Sequence, residues 1–140
     1  MIKVELVERL EKFLTENEML GNPATQKQIS EAEKVLNIKL PEDYADFITR
    51  FGATFAGIDI YAFEEHQNVV ELTQQMWEDY KNGDRYEEAM QSIVISDDGA
   101  GNPILINGKG EVVIFYHDCD EREVLAESLG QLIEENFKEW

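Results

Sequence analysis

Three short apolar runs in the C-terminal half of the chain constrain the fold more than any other feature of the sequence. They occupy residues 91–96, 103–107 and 111–117. An Asp-Asp-Gly segment at residues 97–99 and an Asn-Gly segment at residues 107–108 separate them, and both are strong turn signals. Tight turns join antiparallel neighbours, so this part of the chain is predicted to form an antiparallel meander.

Elsewhere the apolar residues recur mainly with helical spacing. Thr25 and Gln28 have the spacing of a capping box at the start of a helix, and Asn37 suits its C-terminal end. Ser128 and Gln131 repeat the capping pattern before the last helix. Helices are therefore predicted over residues 2–17, about 25–37, 41–51, 68–82 and about 129–139, with a strand at 58–63 and mainly a connection at 119–127.

These segments follow one another in the order ααα-β-α-βββ-α. That order is typical of an α+β domain in which helices pack against an antiparallel sheet. The chain has 140 residues and contains neither an internal repeat nor a Gly/Ser linker, so residues 1–140 are predicted to form a single domain. The residues predicted to be buried include Val35, Tyr44, Phe47, Leu129, Ile133 and Phe137, with Trp140 extending the last apolar stripe.

Acidic residues outnumber basic ones by 30 to 12, which gives a formal net charge of −18. Nucleic acids and anionic membranes both attract cationic surfaces, so neither is a predicted partner. A basic protein would instead be attracted and captured quickly. The lone Cys119 cannot form an internal disulfide, and neither a signal peptide nor a membrane-spanning run is recognisable, so a cytoplasmic location is expected.

Two short polar segments contain the residue types of catalytic or metal sites. Residues 97–102 carry two adjacent carboxylates, two glycines and an amide, but they lack the spacing of a calcium loop, and a hairpin turn is favoured. Residues 117–120 carry a histidine, a thiol and two carboxylates, yet no second cluster of soft ligands completes a zinc site. The sequence therefore predicts no catalytic residues, no metal ligands and no cofactor.

The negative charge is unevenly distributed, with a net charge of −6 in residues 61–92 and of −4 in the first 60 residues. Two interpretations stay open: a solvated face that promotes solubility, and a docking surface for a basic protein. In the second, four aromatic residues are candidate anchors among the carboxylates: Tyr61, Tyr86, Tyr80 and Trp77, of which the last two are favoured as core residues instead. The predicted partner-binding residues are Glu64, Glu65, Glu71, Glu78, Asp79, Asp84, Glu87, Glu88, Asp97, Asp98, Tyr61 and Tyr86.

Residues 29–48 carry the pattern I-x-x-A-E-x-x-L-x-I-x-L-P-x-D-Y-x-x-F-I, which is followed by Phe51-Gly52. This pattern resembles the N-terminal signature of the SUKH superfamily, which includes the fungal Smi/Knr cell-wall regulators and many bacterial immunity proteins. The turn at residues 98–102 and the Glu-Ser-Leu segment at residues 127–129 are also similar to the family, so the resemblance spans about residues 25–137. Ala53 departs from the Asn-Gly-Gly-like turn that many members carry.

The resemblance implies an α+β fold without enzymatic activity. For bacterial members it also implies binding and neutralisation of a cognate toxin, often a nuclease or a deaminase. The leading hypothesis is an immunity protein that docks its acidic face on a toxin of the nuclease type, whose cleft must be cationic to hold phosphates. Two alternatives remain: a regulatory protein-interaction scaffold, as in the fungal relatives, and a small-ligand or metal-binding module built on residues 97–102.

Overall fold

The computed structural model describes residues 2–119 and 121–136, and within them the elements follow the order ααα-ββββ-αα-ββββ-α. The α+β class is therefore as predicted. The helices are α1 (Val4–Glu16), α2 (Gln26–Leu36), α3 (Glu42–Phe51), α4 (Val69–Tyr80), α5 (Tyr86–Met90) and α6 (Leu129–Asn136). The strands are β1 (Thr54–Phe55), β2 (Asp59–Ile60), β3 (Phe63–Glu64), β4 (Gln67–Asn68), β5 (Ile93–Asp97), β6 (Pro103–Ile106), β7 (Val112–Phe115) and β8 (Arg122–Ala126).

The ends of two helices are fixed by the caps that the sequence predicts. The Thr25 hydroxyl accepts a hydrogen bond from the Gln28 backbone N–H (3.1 Å), and the Gln28 side chain accepts one from the Thr25 N–H (2.9 Å). Asn37 ends α2 with a left-handed backbone at a φ of 54°. Ser128 accepts a hydrogen bond from the Gln131 N–H (3.1 Å) at the start of α6. Each cap satisfies backbone groups that the helix itself leaves unpaired.

The sheet is antiparallel, with the strand order β5-β6-β7-β8, so the predicted meander is confirmed and gains a fourth strand. Val94 pairs with Leu105, and Leu105 pairs with Val113, which places these side chains on one face. There they pack with Met76 of α4 and Ala89 of α5. The other face belongs to a larger core that includes residues of α1, α2, α3 and α6. Because helices cover both faces, β5, β6 and β7 are almost entirely buried.

The connection predicted over residues 119–127 is wrong, because Arg122–Ala126 forms β8 and pairs with β7. β8 is an edge strand in which Glu123 and Val124 are exposed and only Ala126 is buried. Charged side chains are common on edge strands, where they hinder pairing with other chains. They also interrupt the apolar alternation by which a strand is recognised in a sequence.

The single strand predicted over residues 58–63 is also wrong. The chain forms two short hairpins there, β1 with β2 and β3 with β4, each with two residues per strand. Gly57 and His66 lie in the two turns, and both have a positive φ. The Tyr61 N–H donates a hydrogen bond to the Ile95 carbonyl (2.8 Å), which attaches this segment to β5.

Four of the predicted core residues, Tyr44, Phe47, Leu129 and Ile133, are buried as expected. Val35 is not, because its side chain is 57% exposed on the outer side of α2. The predictions for Phe137 and Trp140 lie outside the described residues. The helix α5 was not predicted, since five residues are too few to show a helical period.

Replacing Phe47 by alanine is expected to lower the free energy of unfolding by about 3–5 kcal/mol, because the ring is fully buried and its removal leaves a cavity. The matched control is Val35→Ala on α2, which removes an exposed side chain and is expected to change stability by less than about 0.5 kcal/mol. Urea unfolding followed by circular dichroism measures both. Equal effects of the two substitutions would contradict this assignment of the core.

Candidate functional site

A groove of about 700 Å³ lies between α4, the C-terminal half of β5 and the segment after β7. Its apolar surface comes from Leu72, Met76, Tyr80, Val94 and Pro103. Three exposed aspartates also line it: Asp79, Asp97 and Asp118. We call this feature the acidic groove. Among the described residues that line it there is no lysine or arginine, so its charge at neutral pH is negative.

Helix α4 forms one wall of the acidic groove and is held firmly against the sheet. Asn68 caps its first turn by accepting a hydrogen bond from the Val70 N–H (2.9 Å). The buried Thr73 hydroxyl accepts one from the Val94 N–H (2.9 Å), and Trp77 Nε1 donates to the Ser92 carbonyl (3.2 Å). These contacts fix the rotation of the helix about its axis. As a result, three carboxylates point to solvent, and we call them the α4 acidic face: Glu71, Glu78 and Asp79.

The turn after β5 forms the second wall, and its carboxylates bind its own backbone. Asp97 Oδ1 accepts a hydrogen bond from the Gly99 N–H (2.7 Å). Asp98 accepts three, from Asn102 Nδ2 (2.7 Å) and from the N–H groups of Ala100 (2.9 Å) and Asn102 (3.1 Å). The Asn102 and Ala100 donors hold the pKa of Asp98 below its ordinary value. This geometry supports the hairpin-turn interpretation of residues 97–102, since Asp97 and Asp98 both bond backbone N–H groups of the turn itself.

Asn102 also joins this turn to the end of β7. Its Oδ1 accepts hydrogen bonds from the His117 backbone N–H (2.9 Å) and from His117 Nδ1 (2.6 Å). A carbonyl oxygen can only accept, so Nδ1 carries a proton in this pair. The His117 ring therefore helps to hold the turn after β5 against the end of β7. Cys119 is exposed nearby, and within the described part of the chain no group of three or more His, Cys, Asp or Glu side chains could hold a metal ion.

Two of the predicted anchors, Tyr61 and Tyr86, differ in accessibility. Tyr61 is only 8% exposed, and its hydroxyl donates to Asp97 Oδ2 (3.0 Å). Burial, this hydrogen bond and the charges of Asp97 and Asp59 raise the pKa of Tyr61 to about 12, so the phenol stays protonated at neutral pH. Tyr61 thus fixes the orientation of Asp97 at the groove. Tyr86 is 47% exposed at the start of α5 and projects towards solvent.

Glu88 has an internal role that the sequence did not reveal. Its two carboxylate oxygens accept hydrogen bonds from Arg122 Nε and Nη2, both at 2.6 Å, and Oε2 also accepts one from Asn107 Nδ2 (2.9 Å). Burial alone would raise the pKa of Glu88, but the hydrogen bonds and the charge of Arg122 outweigh it and hold the pKa below its ordinary value of 4.5. Glu88 therefore links α5 to β8 and to the end of β6.

The structure brings together three of the predicted partner-binding residues, Tyr61, Asp79 and Asp97, at the acidic groove. Glu71 and Glu78 lie beside them on α4, and Asp98 lies in the adjoining turn. The remaining exposed or half-exposed members are on the β3-β4 hairpin and around α5: Glu64, Glu65, Asp84, Tyr86 and Glu87. Asp118 and the groove floor were missed as site residues, because they meet only through the pairing of β5, β6 and β7 and the packing of α4 on β5.

The fold and this surface define a class of small α+β domain in which helices cover both faces of an antiparallel sheet and one edge carries an acidic groove. The family model SUKH_5, described as SMI1-KNR4 cell-wall, matches residues 4–138. The chain therefore belongs to the SUKH family. A search of curated proteins finds no significant match. In the described part of the chain, no helix has both the length and the apolar character needed to cross a membrane.

Replacing Glu88 by glutamine is expected to lower the free energy of unfolding at pH 7 by about 1–3 kcal/mol, since a half-buried Arg122 loses a charged acceptor. A carboxylate whose pKa is lowered by folding stabilises the protein above its ordinary pKa, and this contribution disappears as the pH falls through the folded value. The wild type and the variant should thus approach equal stability well below pH 4.5.

The matched control is Glu87→Gln, which neutralises the exposed neighbour on the same helix and should change stability by less than about 0.5 kcal/mol. Urea unfolding at several pH values measures all three proteins. A Glu88→Gln difference that stayed constant from pH 7 to pH 3 would contradict the ion-pair assignment.

Proposed function

We propose that this protein is an immunity protein that binds a cognate toxin in the bacterial cytoplasm and neutralises it by occupying its active site. Membership of the SUKH family supports this function, because the resemblance described above implies toxin neutralisation for bacterial members. The net charge of −18 supports a basic partner, such as a toxin of the nuclease type with a cationic cleft.

The observation that carries the proposal is the exposed α4 acidic face beside the acidic groove. Glu78 is paired with Lys81 (2.5 Å), and Asp79 accepts a hydrogen bond from Gln75 (2.9 Å), so these side chains are already oriented at the surface. Lys81 is half exposed and offsets only one of these charges. A rigid helix that presents three carboxylates can occupy positions that phosphates would take in a nuclease cleft.

Two physical consequences follow for the complex. Long-range attraction between the acidic protein and a basic toxin accelerates association, and this acceleration weakens as salt is added. Slow release requires desolvated contacts near the centre of the interface, for which Tyr86 and the apolar floor of the acidic groove are suited. Inhibition of this kind is stoichiometric and requires no catalysis by the immunity protein.

In the triple variant E71K/E78K/D79K, lysines replace the carboxylates of the α4 acidic face, so this surface should repel a basic toxin instead of attracting it. The association rate constant is therefore expected to fall on the order of tenfold at low salt. The probe is the cognate toxin domain that the proposal requires, to be sought first in the open reading frame next to the gene for this chain. Stopped-flow measurements at two salt concentrations give the rate constants, and circular dichroism checks that the variant folds.

The matched control is E5K/E8K/E11K, which makes the same change in net charge on exposed positions of α1. It is expected to slow association much less, since its lysines lie on a different helix. If both triple variants behave alike, the effect reflects total charge and the α4 acidic face is not the docking surface. If the α4 variant associates like the wild type, the docking surface lies elsewhere.

Stoichiometric inhibition gives a further prediction. Toxin activity should fall in proportion to the amount of immunity protein added and should reach its minimum at equimolar protein, because each molecule blocks one active site. Titration of the toxin domain with the purified protein measures this, with Val35→Ala on the outer side of α2 as a variant that should titrate identically. Inactivation by substoichiometric protein would indicate turnover and would contradict a purely binding function.

A further inference from the structure

The acidic groove has a chemical character that the α4 acidic face alone does not have. Its floor is apolar and comes from three elements, with Leu72 and Met76 from α4, Val94 from β5 and Pro103 from β6. Carboxylates stand around this floor at Asp79, Asp97 and Asp118. A surface that is apolar below and anionic at its edge matches a side chain with a hydrocarbon stem and a cationic head.

The groove is too large for a bound ion and is of the right size for part of a peptide. Its volume of about 700 Å³ lies in the range of sites that hold small organic molecules, which is about 300–1,000 Å³. Within the described residues, no three His, Cys, Asp or Glu side chains are placed so that they could hold a metal ion together. One long side chain that a protruding loop inserts into the groove fits this volume.

The acceptor geometry favours arginine over lysine. Asp97 is held by the Tyr61 hydroxyl (3.0 Å) and by the Gly99 N–H (2.7 Å), and Asp79 is held by Gln75 (2.9 Å), so both carboxylates are oriented before a ligand arrives. Oriented carboxylates suit the planar guanidinium, which donates in two parallel directions. The ring of Tyr80, which packs on Phe115 at 5.0 Å between centroids, lines the same groove, and guanidinium groups stack on such rings.

The walls of the groove are rigid in the free protein. The turn after β5 is fixed by hydrogen bonds to Asp98, and Asn102 ties it to His117 (2.6 Å). The α4 wall is fixed by the Thr73 contact with β5. A site formed before binding loses little conformational entropy when it is occupied, so a single inserted side chain can contribute strongly to affinity.

We propose that the acidic groove receives an arginine side chain from a protruding loop of the partner protein. The inference rests on the proposed function in one respect, namely that the partner is the toxin, whereas recognition of arginine by the groove can be tested without any toxin. The guanidinium lies against Tyr80 and bonds the aspartates at the edge, while its methylene stem covers Met76 and Leu72.

The first experiment titrates the protein with the peptide acetyl-Gly-Arg-Gly-amide and follows the methyl NMR signals of Leu72, Met76 and Val94. The comparison peptides carry lysine or citrulline in place of arginine, and citrulline keeps the shape of the arginine side chain without its charge. The arginine peptide is expected to shift these methyl signals and to bind at least threefold more tightly than the lysine peptide and tenfold more tightly than the citrulline peptide.

A variant pair tests the location of the peptide. Asp79→Asn with Asp118→Asn should weaken binding of the arginine peptide at least fivefold, whereas Glu65→Asn with Asp84→Asn, which removes two exposed charges outside the groove, should change it less than twofold. Equal weakening by both pairs, or equal binding of citrulline and arginine, would overturn the proposal. Tighter binding of lysine would overturn the choice of arginine.

The second experiment asks whether the toxin uses the groove. Gln75→Trp places a bulky ring in the groove, and Gln74→Trp places the same ring on an exposed part of α4 outside it. The first variant should raise the toxin dissociation rate constant at least tenfold, and the second less than twofold. Suppose that Gln75→Trp binds the toxin like the wild type while E71K/E78K/D79K does not. Insertion of a toxin arginine into the groove is then ruled out, and docking of the toxin on the α4 acidic face is retained.

Discussion

The burial of the central strands on both faces is the constraint on which the rest of the structure depends. Pairing of Val94, Leu105 and Val113 creates an apolar surface on the side opposite the main core. That second surface must be covered, and α4 and α5 cover it. Since an amphipathic helix buries one side and exposes the other, the covering helix necessarily presents its polar side to solvent. The exposure of the α4 acidic face therefore follows from how the sheet is buried, and its negative sign comes from the sequence at Glu71, Glu78 and Asp79.

Two buried asparagines connect the sheet to the segments around it. Asn102 precedes β6 and Asn107 follows it, and both are nearly inaccessible to solvent. Asn102 joins the turn after β5 to the end of β7, while Asn107 Nδ2 donates to Glu88 and Glu111 at 2.9 Å each. Buried amides must satisfy their donors and acceptors, so each amide fixes the loops that supply the partners. Both ends of β6 are thereby joined to neighbouring segments.

The parts of this fold that the sequence predicted are those set by local chemistry. The capping box at Thr25, the hydroxyl cap at Ser128 and the turn signals around the meander involve residues three or four positions apart, and they appear as expected. The box at Ser128 is incomplete, because the Gln131 side chain accepts from the Glu127 N–H and not from that of Ser128. The strand β8 and the helix α5 escaped prediction because one is charged and the other short. The meeting of Asp97 and Asp118 depends on the pairing of β5, β6 and β7, and Asp79 joins them through the packing of α4 against β5. No local sequence pattern reports this packing.

Neighbouring positions on α4 either attach the helix to the sheet or line the groove, and this difference has a consequence for evolution. Thr73 and Trp77 hold the helix on the sheet through their hydrogen bonds to Val94 and Ser92, whereas Gln75 and Asp79 are exposed and line the groove. Substitutions at exposed positions away from such attachments usually change stability by less than about 0.5 kcal/mol. The groove can therefore acquire new specificity by single mutations while the fold persists. Under the proposed function, this surface can follow sequence changes in the toxin, because the edge of the groove and the attachment of α4 to the sheet are encoded by different side chains of the same helix.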